Sequence, residues 1–479
     1  MRNIYLLTLA FVLASNVAQA QNNQWTLEKS VAYALQNNLQ VRQLDIQREQ
    51  AEAQLTANRL SRLPNVGANL GYGIQLGRTI DPTTNSFEQQ NITFSNVSVS
   101  AQATIYNGGR INNSIKQAKL DAQAAGLEAD ATANDVALSV ANAYLTVLLA
   151  REQLSNARAQ LQLTADQLEQ TDAGIQAGSL PESQRFDLVA QQAANQRTII
   201  DLENQVRIAL VNLQINMQLD PSDDFNIITP NLEITDRDLV EDYSYEEVYL
   251  SATQTQPDIK AAELRSQSSA YSEKIARSGY LPTLSIGASL NSNYSSLGRE
   301  ADTSNVSIIP GPEVPVLING VPTTISEFQL TGLEFRDKSY FDQINENFGQ
   351  SVSLNLNVPI YSQGRNNLAV QQAKLQKLGA DLQKEQAVNN LKNEVIIALT
   401  DLRGARQAYE AAETSLDAST RSYEVTKRRF DLGAANNLDL ITATNRLDQA
   451  RIEMTRAKYQ LIFNQQVIEF YLGRPLSLN

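Results

Sequence analysis

The sequence predicts a duplicated, mainly α-helical chain carrying four β-strands of membrane-spanning length, and three observations carry that prediction. First, ATIYNGGRINNSIKQAKL (103–120) returns as VPIYSQGRNNLAVQQAKL (358–375), an offset of 255 with Ile105, Tyr106, Gly109, Arg110, Asn112, Gln117, Ala118, Lys119 and Leu120 identical in both copies. Second, Val136, Val140, Ala143, Val147, Ala150, Leu154, Ala157, Leu161, Thr164 and Leu168 step 4,3,4,3, the seam of a coiled coil. Moved by 255, that frame lands on Leu391, Val395, Ala398, Leu402, Ala405, Tyr409, Ala412, Leu416, Ser419 and Tyr423. Third, four segments alternate apolar with small or polar residues at period two.

Taken in order, the chain opens on MRNIYLLTLAFVLASNVAQAQ: a positive start at Arg2, an apolar run from Ile4 to Ala14, and Ala18-Gln19-Ala20 as a cleavage site. Residues 1–20 are expected to be a signal peptide, and no Cys follows to accept a lipid. The first repeat is expected over 21–242. It begins with a helix near 27–62, followed by strands at about 64–78 and 91–106. Val66, Ala68, Leu70, Tyr72, Ile74 and Leu76 mark one face of the first strand, and Val97, Val99, Ala101, Ala103 and Ile105 one face of the second. Residues 110–177 contain no proline, so one helical path of about 65 residues is expected, roughly 100 Å long. A Gly-containing turn, a return helix over 183–218 and a Pro-bearing linker complete the copy.

The second repeat is expected over 243–479, because TLEKSVAYALQNNLQVR from Thr26 matches SYEEVYLSATQTQPDIK from Ser244 and Leu63-Pro64 matches Leu281-Pro282. A helix near 245–278 precedes strands at about 281–292 and 350–361, with Pro64 and Pro282 at strand starts, where a missing donor does least harm. A long helix over 365–432 and a return helix over 437–472 follow. Residues 290–350 hold an insertion of 37 residues with Gly311, Pro312, Pro315, Gly320 and Pro322; lacking a sustained period, it is expected to be an outward-facing loop.

Composition removes whole classes of function. The chain has no Cys and no His, and only three Met, which argues against a soft transition-metal site and excludes Ser-His-Asp and Cys-His nucleophiles. A net charge of −13 argues against nucleic acid and anionic headgroups as partners. No later segment has 18 consecutive apolar residues, so helical membrane spans are not expected. No cofactor is implied.

Four strands cannot close a barrel, and an open edge in hydrocarbon leaves costly unpaired backbone groups. Eight strands from a dimer give a barrel filled by side chains, so three copies are the smallest number that leaves a pore. The duplicated order of helix, strand pair, long helix, Gly-containing turn and return helix, with YNGGR and YSQGR at the strand-to-helix joins, resembles the TolC-type outer-membrane efflux family over nearly the whole mature chain. The resemblance implies a homotrimer whose 12-stranded β-barrel sits in outer-membrane lipid and continues into a long α-helical coiled-coil barrel across the periplasm. It also implies docking to a periplasmic adaptor and an inner-membrane pump, as the exit duct of an efflux or type I secretion system.

On that resemblance, Tyr106, Gly109 and Arg110, with Tyr361, Gly364 and Arg365, are strand-to-helix joints. A phosphate-cradling loop is disfavoured because neither Gly-Lys-Ser/Thr nor a full G-x-G-x-x-G is present. The turns holding Gly178, Ser179 and Leu180, and Gly433, Ala434 and Ala435, correspond to the periplasmic tip, where the adaptor docks. Asp439, six residues after Gly433, matches a pore-narrowing aspartate of the family, so three copies would form an acidic entrance ring. The family's second aspartate is Thr442 here. In the first copy Gln184 holds the six-residue spacing and Asp187 the nine-residue spacing. An acid in the first turn of a helix is also favoured by the dipole, with no pore role required. The Tyr and Arg that lock this end in the family are replaced by Phe430 and Ala435; Arg185, Arg428 and Arg429 are candidate substitutes, and a solvated helix end explains them equally well. Tyr72, Phe94, Tyr106, Tyr280, Tyr294, Phe348 and Tyr361 are candidates for aromatic girdles.

Two other classes fit part of the pattern. An exported periplasmic coiled-coil scaffold or adaptor explains the heptads but not four duplicated strands. A carboxylate-pair hydrolase lacks an acid pair in an apolar, pocket-forming segment.

Overall fold

The computed structural model describes residues 24–80, 85–89, 91–221, 224–230, 234, 239 and 242–474; the expected signal peptide lies outside the described residues. After a two-residue strand β1 (Gln24–Trp25), α1 (Leu27–Asn37) is capped by Thr26, whose side chain accepts from the Lys29 N–H at 3.2 Å. The single helix expected near 27–62 is in fact two. Asn38 is extended and accepts the Gln40 N–H on its own carboxamide at 2.8 Å, so its side chain competes with the helix and α2 (Leu39–Leu60) starts afresh.

Beyond Pro64 the chain alternates through β2 (Asn65–Gln75), turns back through the short pair β3 (Arg78–Ile80) and β4 (Phe87–Gln89), and descends as β5 (Ile92–Asn107). The two long helices of this repeat follow, α3 (Arg110–Gln176) and α4 (Ser183–Asn216). A parallel pairing of β6 (Asn226–Ile227) with β1 closes the repeat.

The second repeat opens with α5 (Tyr245–Thr255), capped by Ser244, and α6 (Pro257–Arg277). The helix expected near 245–278 is broken at Gln256, because Pro257 bars the preceding residue from helical geometry. Then come β7 (Thr283–Ser295), β8 (Arg299–Asp302), β9 (Ser307–Ile318), β10 (Val321–Thr331), β11 (Glu334–Asp337), α7 (Tyr340–Glu346), β12 (Gly349–Asn357), α8 (Arg365–Asp431) and α9 (Asn437–Tyr471).

Two expectations fail here. The 290–350 insertion is an ordered β-ribbon rather than a patternless loop: β9 and β10 join through Asn319-Gly320, both at positive φ (+57° and +82°), the two-residue turn that matches strand twist. That dipeptide was the available signal. The last strand stops at Asn357 instead of reaching 361, because Pro359 has no N–H to donate.

The chain divides into two compact units, Met1–Leu55 with Gln117–Ala270 and Leu375–Asn479, and Thr56–Lys116 with Tyr271–Lys374. Each draws on both repeats. The second holds a four-stranded antiparallel sheet ordered β12-β7-β5-β2, so β5 and β7 join the copies and β2 and β12 are left as edges. Register puts Val66, Ala68 and Leu70 opposite Ala101, Val99 and Val97, then Ala101 opposite Ala288 and Ala288 opposite Val352, one apolar face across all four strands. That face is bare: Val66, Leu70, Tyr72 and Ile74 are 62–73% exposed. The other face carries Asn69, Ser98, Asn291 and Ser289, the last with its hydroxyl 2.8 Å from that of Ser351.

The first unit contains two cores, one per repeat. Val136, Val140, Tyr144, Val147 and Leu148 of α3 pack with α1 and α4, and Leu391, Val395, Leu399 and Leu402 of α8 with α5 and α9. Tyr144 ties its core to the small β1–β6 pair, its hydroxyl 3.0 Å from Trp25 O and 2.7 Å from Ile228 O. Counting uninterrupted apolar residues missed one 18-residue window of α3 that is apolar enough to span a membrane; half of it is buried against protein.

Candidate functional site

Helix ends need their last carbonyls satisfied, and the two tip turns do this in the same way. At the first, Gly178 is left-handed (φ +73°), its N–H donates to Ile175 O at 2.9 Å and that of Ser179 to Gly174 O at 2.9 Å. At the second, Gly433 (φ +76°) donates to Phe430 O at 2.8 Å and Ala434 to Arg429 O at 2.7 Å. Leu180 folds back on Gly174, where an added Cβ would lie 2.6 Å from its Cδ1. Around the second turn Leu432 and Leu438 stand 84% and 70% exposed, an apolar tip that nothing covers among the described residues.

The starts of the return helices differ. Asn436 caps α9 with its side chain accepting from the Asp439 N–H at 2.8 Å, while the Asp439 carboxylate reaches back to the Asn436 N–H at 3.4 Å. Asp439 is therefore an exposed first-turn acid engaged in a reciprocal cap. Thr442 is exposed and spends its hydroxyl on Leu438 O at 2.7 Å. At α4, Glu182 makes no side-chain cap, and Arg185 instead bridges to Asp172 of α3 at 3.0 Å, pinning the turn across its two helices. Asp187 is exposed; the Gln184 side-chain oxygen Oε1 is buried without a hydrogen-bond partner. No hydrogen bond or ion pair joins Asp439 to Asp187 or to Gln184 among the described residues. Phe430 and Ala435 are half-buried, Arg429 reaches Ala434 O at 3.3 Å, and Arg428 pairs weakly with Glu424 at 3.7 Å.

At the joints, two successive residues turn left-handed before each long helix: Gly108 and Gly109 (φ +65° and +78°), then Gln363 and Gly364 (φ +54° and +76°). The Asn107 side chain accepts from the Ile111 N–H at 3.2 Å, capping α3 from the end of β5. Gly108 admits no side chain, since a Cβ would lie 2.8 Å from Cβ of Leu281. Tyr106 sits just past a register shift that restores it to the apolar face opposite Leu284. Tyr361 is 85% exposed. Arg110 opens α3, and Arg365 opens α8 with its N–H donating to Ser362 O at 3.0 Å.

Sequence reasoning missed a polar seam. From position 160 toward the tip, α3 buries Gln160, Gln167 and Thr171 beside the expected Thr164, in 4,3,4 steps, whereas the expected Leu154, Leu161 and Leu168 are only half-buried. Asn195 of α4 donates to Thr164 Oγ1 at 2.9 Å, the Tyr423 hydroxyl faces Gln167, and the side-chain amide nitrogen of Gln160 finds no partner. Polar residues at seam spacing were the signal. Among the described residues no group of three acidic side chains is arranged to hold a metal.

Comparison with known proteins adds to this geometry. The chain is 22% identical over 458 residues to the outer membrane protein TolC of Vibrio cholerae, covering 95% of this chain and 89% of that one. Its fold is similar to the outer membrane protein VceC of Vibrio cholerae (TM-score 0.74, 14% identity, covering 94% of this chain and 97% of that one). It is also similar to the open state of the MtrE outer membrane channel of Neisseria gonorrhoeae (TM-score 0.68, 20% identity, covering 95% and 90%). The family model for outer membrane efflux proteins matches residues 31–215 and 248–474, one match in each repeat, so this chain belongs to the outer membrane efflux protein family.

Proposed function

We propose that three copies assemble into the exit duct of an efflux or type I secretion system, conducting substrate delivered by an inner-membrane pump through a periplasmic adaptor. The carrying observation is the sheet. Its four strands alternate in direction, so the free edge of β12 in one copy meets the free edge of β2 in the next as an antiparallel pair, and three copies close twelve strands with no edge left in lipid. The bare apolar face then turns to the membrane and the Asn- and Ser-rich face to the lumen. In the helical unit, Leu375, Leu378 and Leu382 of α8 lie 56–68% exposed at 3,4 spacing, a stripe suited to a helix of a neighbouring copy. Pump and adaptor enter by family likeness, with the exposed tip at Leu432 and Leu438 as the docking surface. No bond-making chemistry is assigned to the chain.

Asp439 is proposed as the entrance ring, with Asp187 as a second acid, Thr442 and Gln184 flanking it, and the two sequence repeats (21–242 and 243–479) supplying one turn each. Light scattering of the detergent-extracted protein should give the mass of a trimer; a monomer soluble without detergent would sink the duct. In planar bilayers Asp439→Asn should lower cation preference and weaken divalent block, with the cap retained because Asn still offers an acceptor oxygen. Unchanged selectivity and block would leave Asp439 as a helix cap alone.

A further inference from the structure

β5 and β12 each lead into a long helix, so the connections β2–β5 and β7–β12 lie at the opposite end of the sheet, the outward end of the proposed duct. The two connections are unequal. In the first repeat β3 and β4 have three residues each, whereas the second repeat raises β9 and β10 with 12 and 11. Isolated two-stranded ribbons are marginally stable in water. This one also exposes Leu317, Ile318, Val321, Ile325, Phe328 and Leu330 at 48–75%.

Register puts Ile318, Val321 and Ile325 on one face of the ribbon and Leu317, Phe328 and Leu330 on the other. At on the order of 100 Å² per buried side chain, a ribbon covered on both faces by the other two copies brings the three copies to roughly 1,800 Å², the size of a standard stable interface. Charge narrows the occupant. Between Ser307 and Thr331 the only ionisable side chains are Glu313 and Glu327, so anionic lipid headgroups and acidic partners are repelled rather than drawn in. Position favours another copy, because the ribbon grows from the β7–β12 pair, whose free β12 edge is where the next protomer joins.

We propose that the β9–β10 hairpins of three copies pack against one another over the outward mouth of the duct and form an apolar constriction there. Such a constriction resists water and ions by dewetting and yields to a substrate pushed from within. It places a second resistance in series with the helix-turn entrance, and it rests on the trimeric reading above.

The absence of cysteine makes the test free of background, since Leu317→Cys or Phe328→Cys supplies the only thiol in the chain. Light scattering of each variant in detergent comes first; a mass other than three copies overturns the trimeric reading itself. In trimers, mild oxidation should yield disulfide-linked pairs of chains, and a polar maleimide should label the thiol about tenfold more slowly than an exposed control, Ser304→Cys. Fast labelling without cross-linking would show each hairpin standing alone in water. Slow labelling without cross-linking would show that something other than a second copy covers it, and either result overturns the proposal. Phe328→Glu should raise single-channel conductance about twofold or more by wetting the constriction; unchanged conductance removes the gating role.

Discussion

Left-handed residues show where the two repeats agree and where they diverge. Positions 178 and 433 are both glycine, but the next equivalent pair is Gln218 (φ +58°) and Gly473 (φ +82°), and the joints pair Gly108 with Gln363. Gln218 makes the same terminal turn as its glycine counterpart, its N–H donating to Ile215 O and that of Leu219 to Gln214 O. An L side chain in this region costs about 1–2 kcal/mol. Gln218→Gly should therefore raise stability by up to about 1 kcal/mol after the extra unfolded-state entropy of glycine is subtracted. Gly433→Ala should cost about 1 kcal/mol at the tip. Thermal melts of the two variants in detergent check both signs; a stabilised Gly433→Ala would mean that the turn is not held in this geometry.

At the scale of the element, α3 is one helix with two kinds of interior. Around Val140 and Val147 it buries aliphatic side chains, while Gln160 to Thr171 bury amides and hydroxyls, the Gln160 amide nitrogen without a partner. An unmatched buried polar group lowers the cost of exposing that stretch to water. Carboxyls add a pH dependence to the same unit. Burial, with Asp258 nearby, holds Asp135 of α3 above the usual carboxylate range. Burial, with Asp258 and Asp135 nearby, does the same to Glu394 of α8, partly offset by a hydrogen bond from Tyr471. For an acid whose folded pKa is raised, the stabilising contribution is full at low pH and is lost as pH climbs through the raised value. The helical unit should lose this contribution as pH rises above the ordinary carboxylate range, and Glu394→Gln should lose less. Melting temperatures of both proteins at pH 5 and pH 7.5 decide it: equal shifts would mean that Glu394 contributes no such pH dependence.

For the whole molecule the decisive quantity is the face each strand residue presents. Leu70 lies on the apolar side and Asn69 on the polar side of one strand, one residue apart. With the duct oriented as proposed, Leu70→Lys places a cation in hydrocarbon at about 2–4 kcal/mol near the midplane and should reduce the trimer recovered from outer membranes. Asn69→Lys should assemble normally and shift ion selectivity toward anions, because its side chain meets lumen water. Membrane fractionation followed by bilayer recording separates the two, and the reverse pattern would invert the assignment of faces.

The sequence by itself determined what is periodic and local. The long helices α3, α4, α8 and α9, the alternating strands and the left-handed glycines could be read there because each follows from neighbours a few positions apart. It also excluded imidazole and thiol chemistry by the absence of the residues. The breaks at Asn38 and Gln256 and the Asn319-Gly320 ribbon were written in the sequence too, in an Asx side chain, a following proline and a turn dipeptide, but a helix or loop period averages over such single positions. Only the tertiary structure decided that β5 pairs with β7, which makes one sheet from two repeats and leaves β2 and β12 as edges. It alone moved the α3 seam from Leu161 and Leu168 onto Gln160 and Gln167, on either side of the expected Thr164, and set the Asp439 carboxylate in a cap with Asn436. The physical reason is that periodicity records which residues can share a face, while burial, pairing and hydrogen-bond partners depend on chain far away in sequence.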